Sequence, residues 1–141
     1  MKLRILLAAL PLLLAGCSSP GSVAEEQLLA HTWAPSADAC GSDFLKFTPE
    51  VLEVHHPGSA TSALQVVGLT TADGFPNNVM VVVGPNPPGT PGEVPEAALV
   101  AFVLEVTNGR MKLVGGGAPK HLTRSTPDNP NVERFNRVAC V

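Results

Sequence analysis

Two adjacent histidines, His55 and His56, have side chains that commonly bind metal ions as neutral imidazoles. They end the run 51–56 (Val-Leu-Glu-Val-His-His), which is typical of a β-strand, and neighbouring side chains on a strand point to opposite faces. The two rings are therefore poorly placed to bind one metal ion together. His31 and His121 could add ligands, but no spacing in the sequence brings them to the same place. We expect strand-end histidines that face solvent, and no metal site.

Serine and acidic residues are plentiful, but they form no recognisable catalytic motif. No serine lies in the Gly-x-Ser-x-Gly sequence that exposes a hydrolase nucleophile. The acids Asp38, Asp43, Asp73 and Glu105 show no spacing that would pair two carboxylates. The glycine triplet 115–117 lacks the Lys-Ser/Thr of a phosphate-binding loop, and we expect it to end a strand. The sequence therefore predicts a protein that is not an enzyme and holds no cofactor.

The residues Leu14-Ala15-Gly16-Cys17 follow an N-terminus that is first basic and then apolar. Lys2 and Arg4 carry the charge, and residues 5–14 are apolar except for Pro11. This run is about ten residues long, well short of the roughly 20 that a helix needs to span a bilayer. The arrangement resembles the bacterial lipoprotein signal, whose cleavage site reads Leu-Ala/Ser-Gly/Ala-Cys.

This resemblance implies a signal peptide over residues 1–16, a diacylglyceryl group on Cys17 and acylation of the new amino group. Two or more acyl chains hold a protein stably on a membrane, whereas one chain does so only marginally. Because Ser18 follows the cysteine, the resemblance also implies the outer membrane if the source is Gram-negative, with the domain in the periplasm. Residues 17–24 would be a lipidated tether and residues 25–141 one domain. The alternatives are an ordinary secretory signal and an uncleaved membrane anchor.

Cys40 and Cys140 are left as a pair if Cys17 carries lipid. An exported protein lies in an oxidising compartment, where such a pair normally forms a disulfide. A redox or metal-thiolate pair would favour a close Cys-x-x-Cys spacing, which is absent. We therefore predict a Cys40–Cys140 disulfide that closes nearly the whole domain. In the chain-entropy model it contributes about 4.7 kcal/mol, less any strain in the native state.

Charge and composition narrow the classes of partner. Without residues 1–16 the chain of 141 has 125 residues, which suits one domain. Loss of Lys2 and Arg4 from nine basic residues leaves seven against twelve acidic ones, a net charge of −5. Nucleic acids and anionic membrane surfaces require a basic patch, so neither is expected as a partner. One tryptophan and no tyrosine argue against an aromatic sugar-binding platform.

Short apolar runs separated by turn residues predict an all-β domain, a small antiparallel barrel or sandwich of six to eight strands with short terminal helices. Strands are expected at residues 31–33, 43–48, 51–56, 62–71 with a bulge at Gly68, 79–83, 97–107 and 110–114. Asn108-Gly109 predicts a tight hairpin between the last two. Residues 25–30 are expected to form one or two helical turns, and 131–138 a short helix with an apolar residue at every third position.

Residues 84–95 contain five prolines in twelve residues and cannot form a helix or a central strand. We expect an exposed loop, either a plain connection between strands or a stiff recognition surface for a protein. Its interaction residues would be Pro85, Asn86, Pro87, Pro88, Thr90 and Pro91. The neighbouring runs 79–83 and 97–106 are apolar on both faces. They predict either strands covered on both sides or a cavity for a small apolar ligand.

Trp33 lies on the first predicted strand, in the sequence Leu29-Ala30-His31-Thr32-Trp33. This position resembles the Gly-x-Trp start of lipocalin-like barrels, with His31 in place of the glycine. It also resembles the Leu-x-x-Thr-Trp start of small exported lipoproteins that end in an aromatic residue followed by cysteine. The lipocalin resemblance implies a barrel with a cavity for a small apolar ligand.

The sequence as a whole predicts an outer-membrane-anchored periplasmic lipoprotein that is not an enzyme. It would bind or inhibit a protein partner or support an envelope assembly. The alternative is a calycin-like carrier of a small apolar ligand, in a cavity lined by Val81, Phe102 and Leu104. An enzyme of unrecognised type, with convergent acids or a Ser–His pair in a cleft, is a third hypothesis.

Overall fold

The computed structural model describes residues 20–141, in which nine strands form one antiparallel sheet and eight of them close a barrel. The predicted all-β fold is confirmed, in its barrel form. The strands are β1 (Thr32–Ala34), β2 (Phe44–Phe47), β3 (Val51–His55), β4 (Ser62–Thr70), β5 (Asn78–Gly84), β6 (Val100–Thr107), β7 (Arg110–Ala118), β8 (His121–Arg124) and β9 (Arg137–Ala139). The helices are α1 (Pro20–Ala30) and α2 (Pro130–Arg134), and 3-10 turns lie at Ala37–Ala39 and Glu96–Ala98. The predicted signal peptide, Cys17 and the first tether residues lie outside the described residues.

The ring of the barrel runs in the order β6-β5-β4-β3-β2-β1-β9-β7 and closes by the pairing of β6 with β7. Strands β1 to β7 each pair with the next along the chain, so most of the ring is a meander of hairpins. β9 completes the ring from the far end of the chain, because it pairs with β1 on one side and with the first two residues of β7 on the other. β8 pairs with the last four residues of β7, outside the ring.

All seven predicted strands form, with bounds shifted by up to four residues. The predicted hairpin between β6 and β7 turns at Asn108 and Gly109, whose φ angles of 52° and 71° are both positive, as a type I′ turn requires. The predicted bulge in β4 is present, because its register with β5 shifts between Val66 and Gly68. Local turn and bulge signals were thus sufficient for these elements.

The glycine triplet 115–117 was wrongly predicted to end its strand, since β7 continues through it to Ala118. The reason is close packing by parts of the chain that are distant in sequence. A Cβ at Gly115 would lie 2.7 Å from the Phe75 ring, and a Cβ at Gly116 would lie 2.7 Å from the carbonyl oxygen of Ala101. Glycine therefore permits a close backbone approach here rather than terminating the strand.

α1 begins earlier than the predicted residue 25, since its described part starts at Pro20 and residues 20–24 are helical. Proline fits the first turn of a helix because its missing N–H would have no intrahelical acceptor there. Ala24 and Leu28 lie four residues apart on one face and are 2% and 0% exposed. This buried face gives α1 a packing role that begins before residue 25.

The C-terminal helix is shorter than predicted, because α2 ends at Arg134 instead of reaching 138. Phe135, which follows it, is buried as the apolar spacing predicts and contacts Phe102, with 4.9 Å between ring centroids. Val138 belongs instead to β9. Backbone pairing with β1 and β7 on both sides favours the extended conformation there over another helical turn.

Apolar side chains fill the inside of the barrel. The buried cluster contains Trp33, Leu45, Phe47, Leu52, Val66, Val79, Val81, Val83, Leu104, Val106, Met111, Leu113 and Phe135, together with Ala24 and Leu28 of α1. The outward-facing Val82 of β5 and its partner Ala101 on β6 are buried too. β5 is therefore buried on both faces, and β6 is buried on both faces beyond the exposed Val100 at its start, as their two-sided apolar pattern predicts.

The antiparallel order determines which connections share each end of the barrel. The α1–β1 junction lies at the same end as the β2–β3, β4–β5 and β6–β7 connections, and we call this the entry end. The other connections, including β5–β6 and β7–β8, lie at the opposite end, the loop end. α1 packs against β2, β4, β5 and β6, and Trp33 Nε1 donates a 3.0 Å hydrogen bond to the Leu28 carbonyl. α1 thus closes the entry end.

Candidate interaction surface

The proline-rich loop, residues 84–95, leaves β5 at the loop end and is exposed, as predicted. Pro85, Pro87 and Pro91 are exposed, while Asn86, Pro88 and Thr90 are partly buried. The tip is a tight turn in which the Thr90 backbone N–H and hydroxyl both donate to the Pro87 carbonyl, at 3.2 and 2.7 Å. Pro88 and Gly89, with a φ of 81°, occupy its central positions, the pattern of a type II turn.

Two contacts hold the base of this loop. The Val94 side chain packs over Gly84, since a Cβ at Gly84 would lie 3.3 Å from Val94 Cγ2. Beyond the loop, Lys120 Nζ lies 2.8 Å from Glu96 Oε1 and joins the β7–β8 turn to the residues that follow the loop. The hydrogen bond and negative charge of Glu96 raise the pKa of Lys120. Both groups are exposed, so this ion pair positions the two segments more than it stabilises them.

The predicted disulfide is present between Cys40 and Cys140, whose Cα atoms lie 5.8 Å apart. It joins the β1–β2 connection to the end of the chain, 100 residues away. The backbone beside it is also held, because the Cys140 N–H donates to the Thr32 carbonyl at 2.8 Å. The disulfide therefore fastens the short closing strand β9 to the first strand of the barrel.

A depression of about 270 Å³ opens beside the inner face of β6, β7 and β8, and we call it the mouth depression. Its apolar part includes Val100, Phe102 and Leu113, and its polar rim includes Thr123, Ser125, Asn129 and Asn131. Asn129 caps α2 by accepting a 3.0 Å hydrogen bond from the Asn131 N–H, which holds that rim in place. No sequence pattern predicted this depression, because its walls come from three strands and a distant helix start.

The predicted ligand cavity would be lined by Val81, Phe102 and Leu104. Val81 and Leu104 are both 0% exposed within the packed cluster, and only Phe102 lines the mouth depression. A second depression, of about 340 Å³, lies around Glu105, Arg110 and Lys112 on the outside of the β6–β7 hairpin and is bordered by none of the three predicted residues. The barrel centre is thus filled at the positions where a carrier would need space.

His55 and His56 are held by separate neighbours. The His55 ring stacks on Phe44, with centroids 4.1 Å apart, and its Nδ1 lies 3.2 Å from the Thr61 hydroxyl. His56 Nδ1 lies 3.7 Å from Asp43 Oδ2. The contact between the Thr61 hydroxyl and the His55 imidazole borders neither of the two depressions. Across residues 20–141, no three His, Cys, Asp or Glu side chains are grouped closely enough to hold a metal ion.

Arg137 is a buried charge that the sequence did not reveal. It is 7% exposed, and its guanidinium donates to the carbonyl oxygens of Trp33 and Arg134 and to Asp43 Oδ1, the last at 3.1 Å. The Asp43 partner is 94 residues away in sequence, so no local spacing could indicate the pair. Arg137 starts β9, and its contacts stabilise the closing of the ring at Trp33.

Comparisons with models of known protein families, with curated proteins and with solved structures found no match. Neither of the helices in the described part of the chain is long and apolar enough to cross a membrane. The barrel alone does not define an activity, because one fold serves many functions. The basis for a function is therefore the lipoprotein-like N-terminus together with the surfaces at the loop end.

Proposed function

We propose that this protein is a lipid-anchored protein of the outer membrane that binds or inhibits another periplasmic protein, or supports an envelope assembly, without acting as an enzyme. The resemblance of residues 14–17 to a lipoprotein signal supports the anchor, and the Cys40–Cys140 disulfide suits an oxidising compartment. The observation that carries the binding role is the exposed proline-rich loop with a fixed turn at its tip.

The position of this loop supports the proposal. Cys17 precedes α1 by only a few residues, and α1 closes the entry end of the barrel. The proline-rich loop lies at the opposite end. An anchor on Cys17 would hold the entry end toward the membrane and present the loop to the periplasm.

The chemistry of the loop indicates the kind of surface that would bind it. Prolines restrict the backbone before binding, so less conformational entropy is lost when a partner docks. Such segments are recognised by grooves lined with aromatic side chains. The single tryptophan of this chain, Trp33, is 0% exposed and cannot serve a partner's prolines. The partner would therefore supply the aromatic groove and this chain the prolines.

Capture of the partner from cells tests the proposal. The full-length protein would be crosslinked mildly in intact cells and purified from membranes, as wild type and as the triple variant Pro85→Ser, Pro87→Ser, Pro91→Ser. This variant keeps the Pro88-Gly89 turn and the Val94 contact. Pro57→Ser, which changes an exposed proline of the β3–β4 connection at the same end, is the matched control.

We expect one partner protein in stoichiometric amount with the wild type and with Pro57→Ser, and about tenfold less with the triple variant, equivalent to about 1.4 kcal/mol. Recovery of no partner with the wild type would contradict the binding role. Equal recovery with the triple variant would show that the loop is only a connection between strands.

The carrier of a small apolar ligand has weaker support. The mouth depression offers a partly apolar surface, but Val81 and Leu104 lie in a filled core. Native mass spectrometry of the protein purified from membranes would show an additional bound mass of ligand size if the carrier hypothesis were correct. We expect the mass of the lipidated chain alone.

A further inference from the structure

Strand β8 has one edge without a backbone partner. Among the described residues it is the last strand of the sheet and pairs only with β7. His121, Thr123 and Arg124 are exposed, and Leu122 is partly buried. An exposed strand edge of this kind can pair with an extended segment of another chain.

The register identifies which backbone groups face the free edge. The Ser125 N–H donates to the Val114 carbonyl at 3.0 Å, so Ser125 bonds toward β7. In an antiparallel pair this orientation alternates with every residue, and His121 and Thr123 therefore also bond toward β7. The N–H and carbonyl groups of Leu122 and Arg124 then point to the free edge. They offer two donors and two acceptors to an added strand.

The mouth depression adjoins this edge on its inner face. Thr123 pairs with Gly116, and Gly116 pairs with Phe102, so all three share the inner face of the sheet. A residue of an added strand directly opposite Thr123 would place its side chain over the depression. Val100, which is 45% exposed, and Phe102 provide apolar contact there, and Asn129 and Asn131 form a polar rim.

Arg124 gives the outer face of the edge a positive charge. Arg124 lies 4.9 Å from the Phe75 ring centroid and donates to the Gly74 carbonyl at 2.9 Å, so its guanidinium is held beside the strand. Lys120 lies in the turn before β8, and His121 begins β8 on the same face as Thr123. Antiparallel pairing of β8 with β8 of a second copy would bring these basic residues together, which opposes self-association. An acidic segment of a different protein suits the edge better.

We propose that the free edge of β8 and the mouth depression bind an extended segment of a partner protein by strand addition. The segment would carry acidic side chains toward Arg124 and an apolar side chain toward Phe102. This inference deepens the proposed function and rests on it. The Glu96–Lys120 ion pair joins the β7–β8 turn to the end of the proline-rich loop, so one partner could contact both surfaces.

A peptide experiment tests the edge separately from the proline-rich loop. The probe is a blocked, fluorescein-labelled peptide with the sequence Glu-Leu-Glu-Leu-Glu, titrated into the full-length protein in detergent. We expect saturable binding, detected by fluorescence anisotropy. Hydrogen exchange should slow at the Leu122 and Arg124 amides and remain unchanged in residues 85–91.

Two variants at one position separate the backbone from the side chain. Leu122→Pro removes the outward N–H but no bond to β7, and we expect about five- to tenfold weaker peptide binding. Leu122→Ala keeps the N–H and should bind within about twofold of the wild type. Equal affinity of the proline and alanine variants, or no binding of the peptide to the wild type, would overturn the inference.

A charge exchange provides a second test if Leu122→Pro does not fold. Arg124→Glu should weaken binding of the acidic peptide about tenfold and strengthen binding of the matching Lys-Leu-Lys-Leu-Lys peptide. Unchanged preference between the two peptides would overturn the inference.

The crosslinking experiment separates the two proposals: a partner recovered in equal amounts with wild type and Leu122→Pro would leave the binding function intact and remove the role of β8.

Discussion

The two ends of the barrel differ in whether the segments there are packed into the core or exposed to solvent. At the entry end the connections between strands are mostly short, and α1 buries Ala24 and Leu28 in the core. At the loop end the proline-rich loop, the mouth depression and the unpaired edge of β8 leave polar backbone and prolines exposed. The difference agrees with the proposed roles, in which the entry end would provide stability and attachment and the loop end a surface for recognition.

The largest expected effect concerns attachment at the entry end. Cys17→Ala removes the acceptor for the proposed lipid, and we expect essentially all of the protein to move from the membrane fraction to the soluble periplasmic fraction. Cell fractionation followed by immunoblotting measures this. Cys40→Ser with Cys140→Ser keeps Cys17 and should stay with the membranes. Retention of Cys17→Ala on membranes would contradict the anchor.

Packing at the two ends should differ in its contribution to stability. Leu28→Ala removes a fully buried side chain of α1 and should lower the free energy of unfolding by about 3 to 5 kcal/mol. The triple proline variant of the loop should lower it by less than about 1 kcal/mol, because its three residues are exposed. Urea denaturation of both variants measures the difference. Similar losses would show that the loop end also supports the core.

The disulfide joins the closing strand to the rest of the barrel. Cys40→Ser with Cys140→Ser should lower the free energy of unfolding by about 2 to 4 kcal/mol, because the unfolded chain loses a crosslink that spans 100 residues. Denaturation with and without reductant checks this value. The variant should still recover its partner in the crosslinking experiment, because neither cysteine lies in the loop or beside β8. Loss of partner binding at unchanged fold would place the recognition surface elsewhere.

Substitution of two strand glycines tests the close packing of β7 beside the mouth depression. The expected change in the free energy of unfolding is smaller than for Leu28→Ala or the double cysteine variant. Gly116→Ala places a Cβ 2.7 Å from the Ala101 carbonyl oxygen and should destabilise the protein by about 1 to 3 kcal/mol. Gly68→Ala, in the bulge of β4, meets no atom within 4 Å and should be neutral or slightly stabilising. Thermal unfolding followed by circular dichroism compares the two. Equal melting temperatures would show that β7 relaxes without cost.

The sequence predicted the elements whose signals are local. Asn108-Gly109 defines its hairpin through two positive φ angles, and the alternation of residues 110–114 identifies β7. β9 was missed because its three residues become a strand only through pairing with β1 and β7. The ion pair of Arg137 with Asp43 could not be predicted for the same reason, because the two residues lie 94 positions apart in the sequence.

The candidate sites also divide into those with a local sequence signal and those that depend on contacts between distant residues. The exposed loop and the Cys40–Cys140 pair could be predicted, because proline content and cysteine count are visible in the sequence. The free edge of β8 could not, because residues 118–124 are mostly polar and no strand was predicted there. The extension of β7 through Gly115 and Gly116 creates a partner for β8, and it depends on contacts with Phe75 and Ala101 that the sequence does not indicate.

The most direct test of this division of roles is site-specific photocrosslinking at the two ends of the barrel in living cells. A photoreactive residue would replace Pro91 in the proline-rich loop or Glu50 in the exposed β2–β3 connection at the entry end. We predict one discrete crosslinked protein from position 91 and none from position 50. The same partner crosslinked from position 50, with none from position 91, would contradict the assignment of recognition to the loop end.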